Sequence, residues 1–142
     1  MLAAMARVEE LQAIWLDLRA HVEQLARERQ QYLVIFEQAP DAYVVTERDG
    51  TIQDANGPAV DILQRRRRDL RGKPLAALVA LDRRAEFRRR LRALIARESQ
   101  AERTFCTIFE APELRTEVTL TARLIERPEG IGGICWRLDP AP

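Results

Sequence analysis

Across the first 36 residues the apolar side chains return at alternating steps of four and three. They are Ala4, Val8, Leu11, Trp15, Leu18, Val22, Leu25, Tyr32 and Phe36, with Arg29 the one polar member. This is a heptad seam, the pattern by which helices wind around one another. No Gly or Pro occurs in residues 1–39, and good helix formers fill most other positions. Pro40 ends the run. The spacing predicts one amphipathic helix over residues 1–39 and a separate domain over 40–142. Residues 4–38 as a helix span about 50 Å at 1.5 Å per residue, whereas a domain of 100 residues has a radius of gyration near 13 Å. Such a helix overruns its own domain, so part of its stripe calls for a second chain. The expected interface is a homodimeric coiled coil through Val8, Leu11, Trp15, Leu18, Val22, Leu25, Arg29 and Tyr32. Ile14 and Leu16 widen the stripe, which also suits a larger bundle. The alternative is a helix lying along its own domain.

From residue 41 the period changes. Residues 42–46 are rich in strand formers, Asp49-Gly50 follows, and residues 51–55 read as a second strand; Asp-Gly between two such runs signals a hairpin. Asn56 can cap a helix over residues 59–63, with Pro58 tolerated in its first turn. Residues 65–70 read as a polar turn or short helix closed by Gly72 and Pro74. Asp82 is the expected cap of a longer helix through Arg97, with Phe87, Leu91, Leu94 and Ile95 on one face. Three strands follow, at residues 104–109, 114–125 and 131–138, separated by turns at 111–113 and 128–130. Phe105, Thr107 and Phe109 share one face of the first, and Leu114 to Leu124 alternate along the second. Hairpins at both ends with helices between give an α+β domain with one five-stranded antiparallel sheet, helices packed across one face, and the long helix before it.

Composition narrows the function. With 23 basic and 22 acidic residues the formal charge is +1, which excludes a globally basic nucleic-acid binder. Two cysteines are too few for a disulfide scaffold. His21 is the single histidine, which argues against a histidine metal site or a Ser-His-Asp triad. No metal site is expected. Without a Gly-rich phosphate loop, nucleophile elbow or ligand cluster, the chain does not read as an enzyme. No apolar run reaches the roughly 20 residues that span a bilayer, and the start lacks the pattern of a signal peptide. The chain reads as cytoplasmic, with no membrane partner.

The run Phe36, Ala39-Pro40-Asp41-Ala42, Val44-Val45, Asp49-Gly50, Ile52, Ala55-Asn56, Ala59, Ile62-Leu63, Leu70 and Gly72-Lys73-Pro74-Leu75 resembles the first half of a PAS sensory domain. The resemblance covers about residues 32–138 and is most specific from Ala39 to Leu75. It implies an antiparallel sheet with helices across it, a ligand pocket between them, and an N-terminal helix that mediates dimers and passes signals to neighbouring domains. Two departures stand out: Gln64 where the family often has Gly, and Leu138-Asp139-Pro140 in place of the Asp-Ile-Thr-like motif after the last strand. In the family's strand order the fourth strand separates Cys106 from Cys135. They would lie about 10 Å apart at 4.8 Å per strand, beyond the roughly 7 Å between Cα atoms that a disulfide spans.

Strand alternation and the resemblance together nominate Val45, Asn56, Leu63, Phe87, Leu91, Phe105, Thr107, Val118 and Trp136 as pocket-lining residues. Each has a simpler role beside it. Asn56 is more simply an N-cap than a ligand contact, and Trp136 more simply a core or interface aromatic than a flavin-stacking ring. The longer helix has no histidine, which disfavours His-ligated haem. Gly57-Pro58-Ala59 follow Asn56 where the flavin photosensors of the family carry a reactive Cys, which disfavours covalent flavin. Non-covalent flavin or a small organic ligand remains open as cofactor. Residues 63–92 hold 12 basic and 3 acidic side chains. No aromatics interleave with these arginines, so nucleic acid is disfavoured as a partner against a solvated helical face.

The reading is a signal-transduction sensor module. It dimerises through its N-terminal helix, takes a small ligand between sheet and helices, and acts on a signalling partner or output domain. Its alternative is a ligand-free protein–protein interaction and dimerisation module that regulates a separate kinase or transcription regulator.

Overall fold

The computed structural model describes residues 2–98 and 101–142; Met1, Ser99 and Gln100 lie outside the described residues. The chain divides into two units, Met1–Glu37 and Gln38–Pro142.

The first unit is helix α1 (Leu2–Gln38), 37 residues without a break. Side chains one turn apart support each other along it. The Arg19 guanidinium lies 3.3 Å from Glu23 and 5.4 Å from the Trp15 ring centroid. Gln24 donates to Glu28 at 3.1 Å, and the Tyr32 and Phe36 rings stack at 6.0 Å. Such pairs contribute a few tenths of a kcal/mol each, about 0.2–0.5. They stabilise the helix through contacts along its own surface.

The second unit is a five-stranded antiparallel sheet with three α-helices and two 3-10 turns. In chain order these are β1 (Ala42–Thr46), β2 (Ile52–Ala55), α2 (Gly57–Leu63), α3 (Arg67–Leu70), two 3-10 turns (Leu75–Leu78 and Leu81–Arg83), α4 (Arg84–Ile95), β3 (Thr104–Ala111), β4 (Leu114–Arg127) and β5 (Gly130–Pro140). The strand order is β2-β1-β5-β4-β3. The last strand therefore sits in the middle, pairing Val44 with Trp136 on one side and Trp136 with Ala122 on the other. β4 separates β3 from β5, which keeps Cys106 and Cys135 apart as free thiols. Burial raises the Cys135 thiol above its ordinary pKa.

Turn chemistry builds the first hairpin. Gly50 takes φ +92°, a region that disfavours a Cβ, while Asp49 Oδ1 accepts the Thr51 N–H at 2.9 Å. That hydrogen bond holds the Asp49 carboxyl below its ordinary pKa. The β1–β2 register shifts between Val45 and Thr46, where β2 carries the extra residue Gln53, and there β5 comes so close to β1 that a Cβ on Gly133 would stand 2.5 Å from the Thr46 carbonyl oxygen. Gln64 closes α2 with φ +57° and ψ +40°. This is the left-handed conformation glycine prefers at a helix end, and it gives the physical reason for expecting Gly at this position.

One core lies between the sheet and the helices. It includes Val44, Leu63, Leu75, Phe87, Leu91, Leu94, Phe105, Val118, Leu120, Ile134 and Trp136. The expected α+β architecture is the one observed. Three local expectations are corrected. Asp82 does not cap α4: it lies in a 3-10 turn, Arg83 stands at the cap without a side-chain bond, and Asp82 pairs with Arg115 at 3.4 Å. β3 runs on to Ala111. β5 continues through Asp139 to Pro140, because Asp139 and Pro140 still pair with Thr119 and Val118.

Candidate functional site

Two regions carry the residues nominated from sequence: the interior of the second unit and the seam of α1.

In the interior, β5 points Trp136 inward between strands on both sides. Its indole N–H donates to Thr46 Oγ1 at 3.0 Å, and both side chains are fully buried. α4 lays Phe87 on the indole with ring centroids 5.6 Å apart, and β3 brings Phe105 to 6.2 Å edge-on and to 6.1 Å from Phe87. These separations are ordinary for aromatic pairs, so the three rings form one mutual contact. Arg90 closes the cluster from outside. Its guanidinium lies 4.9 Å from the Phe105 ring centroid and is bound by Glu102 at 2.8 Å and Glu86 at 3.2 Å. The Glu102 hydrogen bond, followed by that of Glu86, holds Arg90 above its ordinary pKa.

The other nominated residues fall around this cluster with one exception. Leu63, Leu91 and Val118 belong to the same core, and Thr107 is buried on the same face of β3 as Phe105. Asn56 is fully buried, but its amide is used by the fold. Oδ1 accepts from the backbone N–H of Tyr43 at 2.9 Å and Ala59 at 3.2 Å, and Nδ2 donates to the Asp41 carbonyl at 2.9 Å. It caps α2 and ties that helix to β1. Val45 is the exception and a correction. β1 buries Ala42, Val44 and Thr46, so Val45 stands half-exposed on the opposite face, in register with Cys135 and Asp54. The residue missed was Thr46. A strand reading Ala-Tyr-Val-Val-Thr has strand formers on both faces, so its parity was ambiguous; the signal that could have chosen it is a hydroxyl where a buried indole needs an acceptor.

On α1 the nominated seam is laid out as the heptads require, on one helix without interruption. Val8, Leu11, Trp15, Leu18, Val22, Leu25 and Tyr32 are each 53–64% exposed, and Arg29 shares their stripe, also exposed. His21 is on the same helix, 3.7 Å from Asp17.

Part of the arginine-rich stretch is committed to the fold. Arg67 donates to the Ala55 carbonyl at 3.0 Å and, with Arg71, flanks Asp54. Arg84 donates to the carbonyls of Val79 and Ala77. Among the described residues no group of three or more His, Cys, Asp or Glu side chains is placed to hold a metal ion. No helix is long and apolar enough to cross a membrane, again among the described residues.

Known structures share this architecture. The PAS domain of an HTR-like protein from Haloarcula marismortui superposes with a TM-score of 0.66 at 15% identity, over 87% of this chain and 99% of that one. The PAS domain of a Colwellia psychrerythraea protein gives 0.68 at 18% identity, over 79% and 95%. A PAS domain in complex with ethanol, from a LuxR-family transcriptional regulator of Burkholderia thailandensis, gives 0.58 at 22%, over 77% and 96%. Comparison with curated proteins finds no match. The family model described as PAS fold matches residues 36–138, which takes in β1 to β4, β5 up to Leu138, the helices and 3-10 turns of the second unit and the aromatic cluster; the chain belongs to the PAS family of sensory and signalling domains.

Proposed function

We propose that this PAS protein is a homodimeric signalling module, acting in the cytoplasm, in which α1 joins two copies and the sheet domain reports to a signalling partner or output domain. The observation that carries this reading is the seam of α1. Seven large apolar side chains in heptad register stand more than half exposed, and a second copy of the same helix is a partner of matching length and period. Fully burying such a side chain contributes about 1.5–3 kcal/mol relative to full exposure, so half of that at each position offsets the cost of association. Arg29 is the weak point: a polar seam residue lowers stability and fixes register.

The interior favours a module filled by its own side chains. Trp136, Phe87 and Phe105 occupy the space between sheet and α4 where a ligand would otherwise lie. A change in packing there, or at the surface of the domain, would bias the register or splay of the helix pair, and protein contacts would carry the signal onward.

Sedimentation equilibrium tests the dimer. The native chain should be dimeric at micromolar concentration, and Leu18→Glu with Leu25→Glu should be monomeric with unchanged thermal unfolding of the sheet domain. A monomeric native chain overturns the reading. A second reading, a small organic ligand or non-covalent flavin inside the domain, draws on the ethanol complex of the Burkholderia domain. It predicts a discrete extra mass in native mass spectrometry of protein purified without refolding. It also predicts that Phe105→Ala loses that mass while the domain stays folded.

A further inference from the structure

The hairpin turn β1–β2 rests against the last two turns of α4. A Cβ built on Gly50 would come within 3.0 Å of Leu91 Cδ2, so the two elements meet closely at this point. Beside that contact an open groove of about 540 Å³ runs between them, lined by Arg48, Asp49, Leu91, Arg92, Ile95 and Ala96. Its size falls within the roughly 300–1,000 Å³ of small-molecule sites.

Its chemistry is divided. Leu91, Ile95 and Ala96 make an apolar floor, and Leu91 belongs to the core beneath it. Arg48 and Arg92 stand exposed at the rim, and among the described residues neither side chain has a hydrogen-bond or ion-pair partner. They contrast with Arg67, Arg71, Arg84 and Arg90, all of which the fold uses. Asp49 supplies the one negative charge, with one carboxylate oxygen already accepting from the Thr51 N–H. The rim therefore carries a net single positive charge.

The end of α4 does not oppose an anion as strongly as an open helix end would. The carbonyls of Arg92, Leu94 and Ala93 already accept from the N–H groups of Ala96, Arg97 and Glu98 at 2.9, 3.1 and 3.2 Å. Three of the groups that make a helix C-terminus negative are thus satisfied internally.

We infer that this groove binds a small amphipathic monocarboxylate, its apolar chain on Leu91, Ile95 and Ala96 and its carboxylate between Arg48 and Arg92. A monoanion matches the net charge of the rim, whereas a dianionic phosphate would exceed it and leave the apolar floor uncovered. Arg is the side chain best suited to a planar carboxylate. The site lies outside the aromatic cluster, so it supplies a chemical input separate from the interior. This inference does not depend on the dimer.

The test is a two-dimensional amide NMR titration of the full chain with sodium octanoate below its micellar range, beside octan-1-ol and sodium acetate. Octanoate should give saturable shifts in Asp49, Gly50 and the last two turns of α4, and neither control should saturate. Arg48→Gln and Arg92→Gln should each weaken octanoate binding about tenfold, as loss of one charge-assisted hydrogen bond implies, with melting temperature unchanged. Absence of saturable shifts overturns the inference. So does equal binding by native chain and both variants. Shifts centred on Phe87, Phe105 and Trp136 overturn it too, and count against the self-filled interior as well. The oligomeric state in the same samples reports on the dimer separately.

Discussion

The seam of α1 and the interior of the sheet domain are built from the same kinds of side chain and meet opposite fates. Trp136 on β5 is fully buried, with its indole N–H bonded and two aromatic rings against it. Trp15 on α1 is 58% exposed, with an arginine of its own helix across its face. The sheet domain brings strands from distant parts of the chain onto its apolar surfaces. A helix supplies its own backbone bonds but cannot cover its own stripe. The first region is therefore complete within one chain, and the second gains most from another.

The largest expected effect separates the two regions. Phe105→Ala or Trp136→Ala should cost the sheet domain about 3–5 kcal/mol, read by urea unfolding, while leaving the oligomeric state of the folded full chain unchanged in sedimentation. If either variant instead keeps the domain's stability, the interior is not self-filled. Leu18→Glu with Leu25→Glu should do the reverse. It should raise the dimer dissociation constant at least about a hundredfold, equivalent to roughly 3 kcal/mol, without moving the unfolding midpoint of the sheet domain. Coupled loss of both properties would show that the two regions are not independent.

Smaller effects sharpen the picture inside the domain. Thr46→Val keeps the shape but leaves the Trp136 N–H buried without an acceptor, for an expected loss of about 1–3 kcal/mol in denaturant unfolding; Thr46→Ser should restore most of it. Gln64→Gly should instead stabilise the domain by about 0.5–1 kcal/mol, because glycine takes a left-handed helix end without a Cβ penalty. The smallest effect is at Asp49. Its carboxyl is held below the ordinary range by the Thr51 N–H, so its contribution is present above the unfolded pKa near 3.9 and is lost as pH falls through the lower folded value. A carbon-13 NMR titration of the Asp49 carboxyl should place its midpoint below that of an exposed aspartate; a midpoint at or above it contradicts the turn hydrogen bond.

Local patterns were readable where they depend on neighbours in sequence. Heptads gave away α1, Asp49-Gly50 the first hairpin, Asn56 the cap of α2, and the alternation around Phe105 and Val118 the inward faces of β3 and β4. What could not be read depends on distant partners. Val45 and Thr46 look equally apt for an inward face until the indole arriving with β5 chooses Thr46. Asp82 looks like a helix cap until Arg115 of the β3–β4 hairpin offers a pairing. The arginines read as a solvated patch because their partners include backbone carbonyls, which no residue pattern announces. Of the nominated interior set, only Val45 stands on the wrong face.

The central place of β5 has a consequence in time. Trp136 meets Thr46 across 90 residues of chain, and β1 has no neighbour on that side until β5 has been made. At about 5–20 residues per second of synthesis, that wait is roughly 5–20 s. Helix α1 needs only its own residues and forms within about a microsecond. A nascent chain therefore presents its helix long before it can close its sheet. In the proposed dimer, two chains growing on neighbouring ribosomes join by their helices first and finish their sheets as partners.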